Sequence, residues 1–176
     1  MEKLLTVVAD EVSQISEMID ENELCSLAKH LSRSKRVFCA GCGRSGLVMR
    51  AFAMRLMHLG IICYFVGEVT QPSIRKGDLL IIGSSSGETS IVRMMAKRSK
   101  DLGVDIALFT SHEDSSLSAL ADYTVLIPTD RIKSIQPGGN LFEQSMFLVC
   151  DTIAVMVKEI LHVDESMMDA NHTNLE

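Results

Sequence analysis

Residues 78–90 read "DLLIIGSSSGETS", an apolar run that passes through a glycine and three serines into a polar segment. The run has the length and composition of a buried strand, and the segment after it has the pattern of a helix. Similar runs are "RVFCA", "IICYFV", "DIALFT" and "YTVLIP", and helix-like segments separate most of them, notably 45–59 and 88–102. Short apolar strands that alternate with helices indicate a parallel sheet covered on both faces. The sequence therefore predicts a doubly wound, flavodoxin-like α/β sandwich with a five-stranded parallel sheet.

The two ends of the chain have helical patterns. From Leu4 to Leu31 apolar residues recur at three- and four-residue spacing, which predicts two amphipathic helices. No repeat, low-complexity segment or Pro/Gly linker divides the 176 residues, and this length suffices for one core. We expect a single domain with N-terminal helices (1–33), an α/β core (35–163) and a C-terminal helical tail (164–176).

Composition excludes several classes of partner. The 17 Lys and Arg against 23 Asp and Glu give a net charge of −6, and the basic residues form no dense block that could bind nucleic acid. The longest apolar stretch contains Asp151 and is too short to cross a bilayer core of about 30 Å. Acidic residues interrupt the N-terminus where a signal peptide would be apolar. We therefore expect a cytoplasmic protein without a membrane or nucleic-acid partner.

The five cysteines favour neither a disulfide framework nor a metal site. Their number is odd, and Cys63 and Cys150 lie in apolar runs, where thiols behave as small hydrophobes. Cys39 and Cys42 form a C-x-x-C, but Cys39 ends a strand-like run instead of opening a helix. No second C-x-x-C or suitably spaced His pair completes a zinc site. Redox chemistry is a minor alternative, and no metal is predicted.

Two glycine-containing loops follow predicted strands, at the edge where parallel sheets bind ligands. The glycine loop, "GCGRSG" at residues 41–46, matches the G-x-G-x-x-G of dinucleotide-binding proteins, with Glu68 as a candidate ribose-binding acid. A nicotinamide-binding domain of this length would leave no substrate domain, however, and neither loop contains the G-K-[ST] of a P-loop. Dinucleotide binding is therefore the weaker interpretation.

Together the two loops suit a phosphate monoester better. Such a dianion is bound by hydroxyls and backbone N–H groups at a helix N-terminus, where the helix dipole favours negative charge. In the hydroxyl loop, residues 84–89, the candidate donors are Ser84, Ser86 and Thr89, and the helix predicted from residue 88 adds N–H groups. Gly87 allows close approach, and Ser45 has the equivalent place in the glycine loop. Serines here are most often N-caps, but one cap needs only one serine, so three favour a ligand.

Five segments extend this interpretation to a family. In this order, "GCGRSG", "AFAMRLMHLG", "GSSSGET", "QPGGNLFEQ" and "HTNLE" closely resemble the sugar isomerase (SIS) domain family, from about residue 35 onward. The resemblance is to members that convert a 3-keto hexulose 6-phosphate into fructose 6-phosphate, the step after formaldehyde fixation in the ribulose monophosphate pathway. Ser85 departs from an expected glycine and Gly138 from an expected methionine.

The resemblance implies roles for individual residues. It makes Glu143 the catalytic base and His172 an acid or proton shuttle that could reach a neighbouring subunit. With the loop residues above, the predicted substrate- and phosphate-binding residues are Gly43, Arg44, Ser45, Ser84, Ser85, Ser86 and Thr89, although Arg44 also fits a solvated loop arginine. From the residues alone, Glu143 also fits a capping box with Asn140 as N-cap, and His172 also fits a solvated terminal histidine. His58, on an apolar helix, is most often a core or interface histidine.

The resemblance further implies a homotetramer, a dimer of dimers with sites at subunit interfaces, and the helix "LVMRAFAMRLMHLG" is apolar enough to lie between subunits. Moving a carbonyl from C3 to C2 needs a phosphate anchor, one base and donors near two oxygens. Neither a metal nor a redox cofactor is required. A non-catalytic sugar-phosphate sensor and an isomerase of another phosphosugar remain alternatives.

Overall fold

The computed structural model describes residues 3–175, so the predicted segments 1–33 and 164–176 each extend slightly beyond the described residues. Within that range the helices are α1 Leu4–Met18, α2 Glu21–Leu31, α3 Gly43–His58, α4 Ser90–Asp101, α5 Asn140–Leu161 and α6 Glu165–Asn171. The strands are β1 Val37–Gly41, β2 Cys63–Phe65, β3 Leu79–Gly83, β4 Asp105–Thr110 and β5 Tyr123–Leu126, and a 3-10 turn spans Thr129–Arg131. None of these helices is long and apolar enough to cross a membrane.

The five strands form one parallel sheet in the order β2-β1-β3-β4-β5, which confirms the predicted doubly wound fold. Alternate residues of each central strand enter different cores. Val37 and Cys39 face α2, α3 and α5, whereas Phe38 and Ala40 face α4. Because both faces are buried, the central strands appear in the sequence as continuous apolar runs without alternation.

Three element boundaries differ from the sequence-based prediction. Helix α3 begins two residues earlier than expected, at Gly43. Strand β2 at the sheet edge keeps only three of the six residues of its apolar run. Helix α4 begins at Ser90 and not at Glu88, because the Thr89 backbone is extended, with a ψ of 115°. The Glu88 carboxylate accepts hydrogen bonds from the Ser116 N–H at 2.6 Å and from the Ser116 Oγ at 2.8 Å.

Gly87 shapes the turn before α4. Its φ of +63° lies in the left-handed region, and a Cβ there would stand 2.0 Å from the Ser115 Oγ atom. A side chain at this position would therefore be strained and would also displace the loop after β4.

Candidate functional site

The glycine loop and the hydroxyl loop start side by side. Gly41 at the end of β1 and Gly83 at the end of β3 are register partners in the sheet. The chain leaves β1 toward α3 on one face and leaves β3 toward α4 on the other. This divergence between adjacent strands is the topological switch point at which doubly wound sheets bind ligands.

Two uncapped helix N-termini meet at this switch point. Cys42 and Thr89, the N-cap residues of α3 and α4, make no side-chain capping bond, and neither helix has an acidic residue in its first turn. In contrast, the carboxylates of Asp20 and Asp164 cap α2 and α6. Because uncapped N-termini present free N–H groups and positive dipole ends, the arrangement suits an anion.

The hydroxyl loop offers free donors to such an anion. Ser84 Oγ lies 3.2 Å from Thr89 Oγ1, and since only one hydroxyl can donate to the other, one proton stays available. Ser86 Oγ accepts from the Glu88 N–H at 3.2 Å and keeps its own proton free. The N–H groups of Ser86 and Thr89 donate to no acceptor within residues 3–175. No serine caps α4, since its N-cap residue is Thr89, which makes no side-chain capping bond, but Ser86 does act as a turn residue through its bond with the Glu88 N–H.

The remaining predicted binding residues occupy different positions. Ser85 faces away toward β4 and β5, where its Oγ lies 3.2 Å from Ser111 Oγ. Gly43 has a φ of +55° and open space where a Cβ would stand. Ser45 is half-buried in the first turn of α3.

Glu143 and Arg44 form an ion pair between the start of α5 and the glycine loop. The Glu143 side chain is only 12% exposed, whereas that of Arg44 is 61% exposed. The guanidinium Nε contacts Oε2 of the carboxylate. This pair places a shielded carboxylate and an exposed cation at the N-terminus of α3.

The capping box considered for Glu143 is wrong. The N-cap is Gly139, with a φ of +89°, so Asn140 is already the first helical residue. The Asn140 N–H, which the box would direct to Glu143, donates to the Pro137 carbonyl at 3.2 Å. The Glu143 carboxylate therefore has no capping role and is directed to Arg44.

His172 lies far from this carboxylate in its own chain. His172 is the residue directly after α6. Its exposed ring stacks on the buried ring of His58, with centroids 4.8 Å apart. His58 ends α3 and Gly43 begins it, and a 16-residue helix is about 22 Å long. The structure thus brings Arg44 and Glu143 together but places His172 at the opposite end of α3.

The histidine stack makes stability depend on pH. Burial, and then the charges of His172 and Arg55, lower the pKa of His58 below its ordinary 6.5. Since the unfolded chain then binds a proton more tightly, we expect the free energy of unfolding to fall as the pH decreases through about 6.5. Denaturant titrations at several pH values measure this dependence. His58→Phe keeps a ring on His172 without a titrating group, so a pH dependence equal to that of the unmodified protein would contradict this cause.

The structure does not support the redox and dinucleotide interpretations. The Sγ of Cys39 points into the core, 3.8 Å from that of Cys63, while Cys42 is exposed. The hydrogen bond with Cys63 and burial raise the pKa of Cys39, which keeps the thiol unreactive. Glu68 pairs with Arg50 at 2.6 Å. In residues 3–175, no group of three or more His, Cys, Asp and Glu side chains could hold a metal.

One region beside the hydroxyl loop was not predicted from the sequence. A cavity of about 370 Å³ adjoins the hydroxyl loop at the ends of β4 and β5. It is lined by Ser86, Glu88, Ser111, His112, Glu113, Asp114, Ser115, Leu126, Asp130 and Arg131. The segment "SHEDSS" follows a predicted strand, so the rule that selected the other two loops also applies to it.

Comparisons with known proteins identify relatives of this chain. The SIS domain model matches residues 30–156. The chain is 41% identical to the 3-hexulose-6-phosphate isomerase of Mycobacterium gastri, over 98% of this chain and 89% of that one. It is 38% identical to the Bacillus subtilis protein of the same name, over 96% and 95% of the two chains. A solved structure from Methanococcus jannaschii, described with an inferred function of 3-hexulose-6-phosphate isomerase, has a TM-score of 0.87 and 37% identity, and covers 98% of each chain. This chain therefore belongs to the SIS domain family.

Proposed function

We propose that this protein is a 3-hexulose-6-phosphate isomerase, which interconverts D-arabino-hex-3-ulose 6-phosphate and D-fructose 6-phosphate. Relatives of that name at 38–41% identity over nearly their whole lengths support the activity. The structural observation that carries the proposal is the shielded Glu143 carboxylate, paired with Arg44 at the uncapped N-terminus of α3, which follows the strand adjacent to the one that leads to the uncapped α4. An anion anchor next to one carboxylate is the minimum equipment of a phosphosugar isomerase.

The proposed phosphate site lies between the two loops. Its residues are Gly43, Arg44, Ser45, Ser84, Ser86 and Thr89, whereas the predicted Ser85 is left out because its hydroxyl faces Ser111. Free hydroxyl protons and first-turn N–H groups of α3 and α4 bind the dianion, and the helix dipoles add to this attraction. The sugar carbons then extend toward Glu143.

In the proposed reaction Glu143 moves one proton between adjacent carbons. Its carboxylate takes the proton from C2, the C2–H electrons form the C2=C3 double bond, and the C3 oxygen takes up a proton to give the enediol. The O2–H proton then leaves, the C2 carbonyl forms, and C3 receives a proton from Glu143. Arg44 donates to the developing oxygen charge, and His172 carries the proton between the two oxygens.

The proposal includes a homotetramer in which a neighbouring subunit supplies His172. The exposed apolar side chains of α3 and α5 support subunit contacts. They are Leu47 (65% exposed), Met54 (53%), Phe147 (44%), Leu148 (49%) and Val155 (57%). The separation of about 22 Å along α3 supports a His172 donated by another chain.

The proposal also has a cellular context. The chain acts as a single SIS domain, with the segments 1–33, 35–163 and 164–176 as N-terminal helices, α/β core and tail. Its place is the ribulose monophosphate pathway of formaldehyde fixation, in the cytoplasm, where charged phosphate esters are retained.

Turnover distinguishes this proposal from its two alternatives. A non-catalytic sensor would bind the 3-ketose phosphate without converting it. An isomerase of another phosphosugar would leave it unchanged but convert a different aldose–ketose pair.

The proposed phosphate site predicts a loss of affinity when its hydroxyls are removed. A hydrogen bond to a charged acceptor contributes about 1.5–3 kcal/mol, so Ser84→Ala with Ser86→Ala should weaken fructose 6-phosphate binding by at least about a hundredfold. Calorimetric titration measures the affinity. The matched control is Ser32→Ala with Ser34→Ala, which removes two hydroxyls that bond only to carbonyls at the end of α2. Unchanged affinity in the loop variant would mean that this loop is only a turn.

A further inference from the structure

A buried carboxylate on α1 contacts the segment that precedes α5. Glu11 is 6% exposed and accepts three hydrogen bonds from residues 134–136. The donors are Ser134 Oγ at 2.6 Å, the Ile135 N–H at 2.8 Å and Gln136 Nε2 at 3.0 Å. Both carboxylate oxygens accept hydrogen bonds. Through them Glu11 joins α1 to a segment more than 120 residues away in the chain.

This contact is a specific one. Glu11 forms no ion pair with any Lys, Arg or His among the described residues, so hydrogen bonds alone compensate its charge. The bonds from Ser134, Ile135 and Gln136 lower the pKa of its carboxyl, which keeps it ionised. Burying a carboxylate without such donors would cost folding free energy. The folded position of Glu11 therefore requires the donors of residues 134–136.

The contacted segment leads directly to the proposed base. It comprises residues 132–139, named here the entry loop, and ends at Gly138 and Gly139, both exposed. A Cβ on Gly139 would stand 3.5 Å from Glu143 Oε1, so the end of the entry loop adjoins the carboxylate itself. Two consecutive glycines impose little conformation of their own. The conformation of the entry loop therefore depends on contacts with other parts of the chain, and Glu11 provides three such hydrogen bonds.

We propose that Glu11 is a positioning residue of the isomerase site: its carboxylate fixes the entry loop and thereby places Glu143 against the substrate. The expected effect of Glu11 on kcat rests on the proposed function. The anchoring of the entry loop is independent of that function.

The test is Glu11→Ala with two measurements. We expect kcat to fall by about tenfold to a hundredfold, since displacing a catalytic group by about 1 Å has effects of this size. The affinity for fructose 6-phosphate should stay unchanged, because its anchor lies on the other two loops. Hydrogen exchange should accelerate in residues 132–139 and not in residues 84–89.

The matched control is Glu23→Ala. Glu23, on α2, is half-buried, and its carboxylate accepts from the N–H of Leu126 on β5 at 2.9 Å. This variant also removes a carboxylate that joins an N-terminal helix to the core, but it leaves the entry loop anchored. It should keep its kcat and its entry-loop exchange. An equal loss of kcat in both variants would overturn the proposal, because general destabilisation would explain it.

Two further variants protect the test against misfolding. Ser134→Ala removes one donor from the loop side and should show the same two effects, smaller in size. Glu11→Gln keeps the side-chain length and one acceptor oxygen, so it should recover part of the kcat that Glu11→Ala loses. Unchanged kcat or unchanged entry-loop exchange in Ser134→Ala and Glu11→Ala overturns the proposal. If the unmodified protein has no turnover, the proposed function fails, and unchanged exchange still overturns the anchoring.

Discussion

Glu143→Gln is expected to lower kcat by about 10²–10⁴-fold, the usual contribution of a general base, while fructose 6-phosphate still binds. The amide cannot accept the C2 proton, but it keeps the size of the side chain and an oxygen that can accept from Arg44. A capping role would predict a mild effect, since Gln serves as well as Glu in a capping box. The structure excludes that role, because the Asn140 N–H donates to Pro137.

Two measurements distinguish loss of the base from loss of binding. Exchange of the C3 hydrogen of fructose 6-phosphate in heavy water, followed by NMR, should vanish together with kcat. Calorimetric affinity for fructose 6-phosphate should persist. The control is Glu159→Gln, the same change at an exposed position near the other end of α5. A Glu143→Gln enzyme that keeps most of its turnover would contradict the assignment and make His172 or His58 the next base to test.

Deletion of residues 171–176 is expected to abolish most turnover with little change in melting temperature. The deletion removes His172, and the contacts that it removes from the described residues include the stack on His58 and the Asn171 bond to the His58 carbonyl at 3.2 Å. His172→Ala should reproduce the loss, by about 10²-fold or more for a proton-transfer group. Full activity of the shortened protein would reject the role of His172.

The position of His172 also predicts complementation between chains. Within one chain it lies about 22 Å along α3 from the glycine loop, so a complete site would need His172 from a neighbour. Coexpressed Glu143→Gln and His172→Ala chains should then form some sites with both residues intact. We expect the mixture to regain activity that neither variant has alone. A mixture as inactive as its two parents would contradict a shared site.

The fold was predictable because its strongest signals are local. Runs such as "DLLIIG" are buried on both faces, so their apolar pattern is continuous and marks the strands directly. The ends of elements depend on contacts that a pattern does not contain. Helix α4 starts late because the Thr89 backbone is extended, and the adjacent Glu88 carboxylate bonds to Ser116, 28 positions later. The capping-box spacing of Asn140 and Glu143 was misleading because Gly139 adopts a left-handed conformation that starts the helix one residue earlier.

The sequence predicted individual residues of the candidate site but not the contacts between them. Glycines and hydroxyls after strands identified the two loops, and family resemblance selected Glu143. The ion pair of Glu143 with Arg44 joins positions 99 residues apart, and only the packing of α5 on α3 creates it. No motif marks Glu11, since a carboxylate on an amphipathic helix normally faces solvent and only the folded entry loop supplies its donors.

The most direct test of the account is conversion of D-arabino-hex-3-ulose 6-phosphate by the purified protein in heavy water, followed by NMR. The account predicts that fructose 6-phosphate appears without added metal or redox cofactor. Glu143 returns a proton to C3 of the product. If that proton has first exchanged with the heavy water, the product carries deuterium at C3. The same preparation of Glu143→Gln should produce neither signal. A protein that binds the 3-ketose phosphate tightly but leaves it unconverted would contradict the central claim and indicate a sugar-phosphate sensor instead.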